Sequence, residues 1–156
     1  MLDATVNFLE GGCSLIVGVS LADGSPYAAH AWGFTVESRD PVRARLVLGT
    51  RDAERVPALW AGAPIAVTGA DVSTLRAVQV KGRSIDAGPA TDDDLAVVAR
   101  HCGLFFADVE RVDGEPYALL VRMVPPSFTT CTVELDAFFD QTPGPGAGAP
   151  LARTGG

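Results

Sequence analysis

Positive charge is what this sequence holds least of for its length. Lys and Arg number 12 against 19 Asp and Glu, for a formal net charge of −7. A field of that sign repels nucleic-acid phosphates and anionic membranes, and no dense basic patch offsets it. Neither nucleic acid nor a membrane is an expected partner. Cysteine is scarce: Cys13, Cys102 and Cys131 are odd in number and form no CxxC pair. Buried, reduced thiols are therefore expected, not a disulfide frame or a zinc site. Histidine is limited to His30 and His101, and neither lies in a CxxCH haem-attachment pattern. Long apolar runs are missing. The longest, Leu15-Ile16-Val17-Gly18-Val19, is too short to cross a bilayer. The opening Met1-Leu2-Asp3-Ala4 lacks the basic and apolar regions of a signal peptide, so a cytoplasmic location is expected. No GxSxG elbow and no strand, glycine-rich loop and helix unit occur, which disfavours a serine hydrolase and a dinucleotide-binding α/β fold.

What is present fits one globular domain with a real core: 156 residues, 47% of them hydrophobic. The most informative stretch is Thr74 to Asp86, which reads as one long strand. Val78 and Val80 share one face, while Gln79, Lys81 and Arg83 share the other. With Arg76, three of the 12 basic residues fall within eight positions. Two readings stay open. The cationic face lines an anionic ligand, or it is simply a solvated outer face.

The rest follows in order. Asp3 to Leu9 suits a short helix capped by Asp3 and stopped by Gly11-Gly12. Cys13 to Val19 and Tyr27 to Phe34 form a hairpin about Asp23-Gly24. Trp32-Gly33-Phe34 places a glycine between aromatics, for close approach of something flat or for a bulge. Ser38 to Pro41 is a loop, and Val42 to Leu48 is a third strand. A short helix from Asp52 to Trp60 contains Pro57, against its own regularity. Ala63 to Thr68 is a fourth strand ahead of the long fifth. Thr91 caps a helix with Asp92, Asp93 and Asp94 in its first turn, running to His101 or Gly103. Ala118 to Val124 and Phe128 to Glu134 read as further strands, and Leu135 to Phe139 as a helical turn. The segment from Asp140 to Pro150 is rich in Pro and Gly. It is either a disordered end or a chain lying flat over a groove, rooted by Phe138 and Phe139. Short turns between mostly antiparallel strands point to a closed barrel.

The strands also carry a family likeness. Phe8 to Gly18, Asp23-Gly24-Ser25-Pro26, Ala31-Trp32-Gly33 and Arg76 to Gly82 resemble the strands and turns of the pyridoxamine 5'-phosphate oxidase-like, or FMN-binding split-barrel, proteins. Phe139-Asp140-Gln141-Thr142-Pro143-Gly144-Pro145-Gly146-Ala147-Gly148 resembles the tail of a bacterial subgroup of unassigned function. The resemblance implies a mostly β fold: an antiparallel six-stranded split barrel with one main helix and short flanking helices. It divides the chain into a barrel domain over 1–139 and a tail over 140–156. It also implies a homodimer holding flavin mononucleotide (FMN) at the subunit interface, with a small-molecule ligand. F420 and haem, bound by some relatives, rank behind FMN, and some relatives carry no cofactor. The positions matching the family's phosphate contacts are Thr50, Arg51, Arg76, Gln79 and Lys81, with Trp32 or Phe34 beside the ring. His30 is the candidate proton donor, since imidazole is the side chain suited to proton transfer near neutral pH. No metal ligands are expected. A flavin-dependent oxidoreductase and a cofactor-free binding protein on the same scaffold are the two expectations to separate.

Overall fold

The computed structural model describes residues 2–56, 59 and 62–153, with Ala152 and Arg153 given by backbone alone. The strands are β1 (Ser14–Ser20), β2 (Pro26–Arg39), β3 (Val42–Gly49), β4 (Pro64–Ala70), β5 (Ala77–Pro89), β6 (Phe128–Asp140) and β7 (Pro150–Arg153). The helices are α1 (Leu2–Glu10), α2 (Thr50–Glu54), α3 (Asp92–Asp113) and α4 (Tyr117–Leu120), with a 3-10 turn at Val121–Met123. All pairings are antiparallel, in the order β3-β2-β1-β4-β5-β6, and β3 also pairs with β6. Six strands thus close into a barrel, which leaves none of them with two free edges. Period-2 alternation fills it: Leu15, Val17 and Val19 of β1 point inward to Phe34, Leu46, Val67, Val80, Val133 and Phe138.

The expected six-stranded split barrel is therefore present, but β2 runs on through Ser38 and Arg39 of the expected loop, held by pairing with β3, and four further segments differ from their sequence reading. The fifth strand starts at Ala77, not Thr74. Asp71 closes a turn ahead of it, its carboxylate accepting from the Ser73 and Thr74 N–H groups at 3.0 and 2.7 Å. Helix α3 runs ten residues past Gly103 and ends at Gly114, which takes a left-handed φ of 75°. Residues 118–124 are helical instead of a strand. Both edges of β6, the strand that follows them, are taken by β5 and by β3 and β7, and Leu120 and Val124 pack under α3 instead. Residues 135–139 continue β6. Asp136 is an extra residue opposite β5, and this bulge shifts the inward phase from Leu135 to Phe138. The expected helix over 52–60 is present as Thr50–Glu54; Pro57 and Trp60 lie outside the described residues.

Helix α3 covers the outside of β2 and β3. Thr91 and Asp94 form a reciprocal cap at its start. Asp94 is also clamped by Arg45 of β3 through two bonds, at 2.7 and 2.9 Å. The Arg45 guanidinium outweighs burial and holds the Asp94 carboxyl down at about 2. Beneath the helix a second core joins Trp32, Val47, Val98, Cys102 and Phe106.

The Pro/Gly segment returns to the sheet. Asp140 N–H donates to the Ala149 carbonyl at 2.9 Å and Gln141 N–H to Ala77 at 2.8 Å. β7 then pairs with the second half of β6, and Leu151 packs against the main core. Deleting residues 141–156 is expected to bare the edge beside Phe138 and lower the thermal midpoint by roughly 5–10 °C. Calorimetry checks this, and an unchanged midpoint would show that β7 contributes no stability.

Candidate functional site

Antiparallel registry lines up alternate side chains into rows across the sheet. On the barrel's outer face one row reads Ala28, Gly18, Ala66, Lys81 and Ala137, across β2, β1, β4, β5 and β6. The next reads His30, Ile16, Thr68, Gln79 and Phe139. Because the first row is small apart from Lys81, the face is hollowed into an open groove of about 740 Å³. Gly18, Ala28 and Ala66 line its floor; Tyr27, Lys81 and Arg83 are among its polar lining.

The polar groups on this face are lightly held. The Lys81 ammonium lies 4.9 Å from the centre of the Phe139 ring, a contact worth about 0.5–1 kcal/mol at an exposed site. Gln79 Nε2 donates to Thr68 Oγ1 at 3.0 Å. Tyr27 is the rim residue that sequence reading missed. Its hydroxyl donates to Asp52 Oδ1 at 2.7 Å and so ties α2 to the groove's edge. Burial, then the Asp52 bond, push its phenol above the usual range.

The expected site residues separate into three places. His30, Gln79 and Lys81 share the open face. Thr50 and Arg51 sit on α2, where Thr50 Oγ1 accepts from Thr129 Oγ1 at 3.3 Å and Arg51 is exposed beside Asp52. Lys81 lines the groove and Arg51 does not. Arg76 is at the start of β5, its guanidinium 4.7 Å from the Phe8 ring.

The two aromatics face no open space in the single chain. Trp32 is an extra residue of β2 opposite β3, which turns it outward under α3 at 5% exposure. Phe34 points the other way, into the barrel core, at 2% exposure. Gly33 lies close under the helix: a Cβ there would come within 2.8 Å of Val97 on α3 and 3.1 Å of Val47. Trp32 Nε1 is buried with no acceptor among the described residues, a state that costs about 1–3 kcal/mol. His30 lies next to it, ring centres 5.9 Å apart, at the border between the open face and the part that α3 covers. Among the described residues no group of three metal-ligating side chains converges, and no helix is long and apolar enough to cross a membrane.

No family model and no curated protein matches the sequence. Solved structures do match the fold. A Lactobacillus delbrueckii protein named as a candidate pyridoxamine 5'-phosphate oxidase superposes with a TM-score of 0.51 at 17% identity, over 89% of this chain and 93% of its own. HupZ of Group A Streptococcus superposes with a TM-score of 0.50 at 14% identity, over 95% of this chain and 100% of its own. At such identities the likeness is one of architecture. Strand order, closure of β3 on β6 and these superpositions together give the chain a six-stranded split-barrel fold like that of these two proteins.

Proposed function

We propose that the chain is a cytoplasmic homodimer that holds FMN on the open outer face and uses it in an oxidoreduction of a small molecule. The supporting observation is the registry that brings His30, Thr68, Gln79 and Lys81 onto one face beside a floor of small residues. Such a face suits a flat, anionic group. The missing side chains at Gly18 and the short ones at Ala28 and Ala66 let a ring approach the backbone. Lys81 supplies charge, and Gln79 and Thr68 supply hydrogen bonds that can be exchanged for ligand bonds. Arg51 and Thr50 contribute from α2, which Tyr27 holds at the rim. The same flat, largely apolar face suits an isologous contact with a second copy. A bound flavin supplies the electron transfer. The protein's part is to hold it, exclude water and place His30, the group on this face suited to proton transfer.

The alternative, a cofactor-free binding protein, is favoured by the separation of Arg51 from Lys81 and by Asp52 next to Arg51. An absorption spectrum after incubation with FMN and gel filtration divides the two. A retained band near about 450 nm, at about one flavin per chain, is the expected result. Lys81→Ala and Arg51→Ala are each expected to weaken retention roughly 10- to 100-fold. A protein that releases all added FMN overturns the flavin reading; a Soret band in the purified protein, or retention of F420 alone, replaces FMN with that group.

A further inference from the structure

We propose that α3 is an acid-released helix: protonation of His101, at the seam where α3 lies on β2, lifts the helix from the barrel and uncovers Trp32. This device is independent of any ligand on the open face.

The seam is small and almost wholly apolar. Val98, Cys102 and Phe106 of α3 meet Trp32 and Val47. His101 of the same helix is buried at 6% exposure, near enough to His30 of β2 to feel its charge. Its ring stacks on Phe105, with centres 5.8 Å apart and planes at 26°. A charge placed there loses its water and gains no counter-ion. The charged groups acting on His101 are Arg100 on its own helix and His30 on β2, and both oppose its protonation. Nearby carboxylates are engaged elsewhere. Asp94 is clamped by Arg45 of β3, Asp108 by Arg111, and Glu10 of α1 accepts from the Val36 N–H. Burial above all, then Arg100 and His30, hold the docked imidazole down at about 4, against an ordinary 6.5.

The sign follows from linkage. Between those two values a released helix binds a proton that the docked helix refuses. Each unit of pH lost in that window therefore favours release by up to about tenfold. Release also gives the unpaired Trp32 Nε1 access to water. Among the described residues, the fully buried members of the main core include no ionisable group except the thiols of Cys13 and Cys131, both raised by burial. The Arg45–Asp94 clamp persists until its carboxyl titrates, at about 2. The helix therefore swings about its N-terminal end while the barrel stays closed. Trp32, newly open, extends the outer face beyond His30 towards β3.

The intact chain carrying Trp60→Phe leaves Trp32 as the sole indole, since the sequence holds two. On titration from neutral pH to pH 4, Trp32 emission is expected to shift to the red while the far-ultraviolet strand signal holds. His101→Phe keeps the stack on Phe105 and is expected to abolish the shift. Should that variant not fold, proton NMR of the unsubstituted protein reads the same point. With two histidines, His30→Gln assigns the rings, and His101 is expected to titrate together with the Trp32 signal. A constant Trp32 emission overturns the proposal. So does an unchanged shift in a folded His101→Phe protein, or strand and indole signals that move together as one global unfolding.

Discussion

Replacing Gly82 with alanine is expected to cost the protein about 3 kcal/mol of stability or more, and to leave little folded barrel at ordinary temperatures. A Cβ built at this position falls 1.9 Å from the Glu134 carbonyl oxygen, 2.8 Å from its carbon and 2.9 Å from the Leu135 Cα. All three are backbone atoms of β6, so no side chain can rotate away. Nor can β6 retreat, because residues 128–134 pair with β3 on the opposite edge. The clash sits beside the bulge at Asp136, where β6 crosses closest to β5. The Lys81-Gly82 pair thus has two separate reasons. Lysine meets the open face, and glycine admits the neighbouring strand. A urea midpoint for Gly82→Ala within error of the parent would show that β6 has slack which this packing denies it.

Phe106→Ala is expected to cost about 3–5 kcal/mol, and to take that cost from the helical side of the molecule. Phe106 is 1% exposed and meets three other rings. Trp32 lies edge-on at 6.4 Å, Tyr117 edge-on at 5.8 Å, and Phe105 at 5.6 Å. It is the side chain through which β2, α3 and the start of α4 hold together. Truncation opens a cavity in a core of few residues, which has little freedom to collapse. Chemical denaturation followed by helical ellipticity and Trp32 fluorescence measures the loss. Leu104→Ala, two residues away but 46% exposed, is the control and is expected to stay within about 0.5 kcal/mol. Equal losses in both variants would mean that α3 is held by its polar clamp at Asp94 and not by this apolar seam.

The elements that sequence patterning revealed are those governed by local chemistry. The apolar run of β1, the alternation in β3 and the Thr91 cap follow from neighbours in the chain. Hairpin registry follows too. The Leu21 N–H bond to Ser25 centres the pairing that sets Ile16 opposite His30. The Asp71 N–H bond to Arg76 likewise sets Thr68 opposite Gln79 and Ala66 opposite Lys81. Part of the open face was therefore readable from the first of these turns, whereas the second takes up the residues from Thr74 to Arg76 that are expected as strand. The bulges were not. Trp32 and Asp136 each add one residue, and each reverses the inward phase of the strand beyond it. Trp32 and Phe34 consequently go to different cores, and residues 135–139 lost their strand period. Residues 118–124 have strand-forming composition, but they lie under α3 as helix, against a second core that local patterning does not show. That Arg51, on α2, stays out of the groove that Lys81 lines is likewise not visible in local patterning.

Because β6 both closes the ring on β3 and carries β7, the order of synthesis matters to this protein in a particular way. Strands β1 to β5 are complete when residue 89 has been made, with β3 and β5 still presenting bare edges. Nothing that can cap both edges exists until residues 128–140 follow. At ordinary translation speeds that interval lasts about 2–8 seconds. During it the nascent chain is a sticky half-barrel, and what emerges beside it is α3, led by Asp92, Asp93 and Asp94. Those like charges repel neighbouring nascent chains at the moment when edge-to-edge pairing is most open to them.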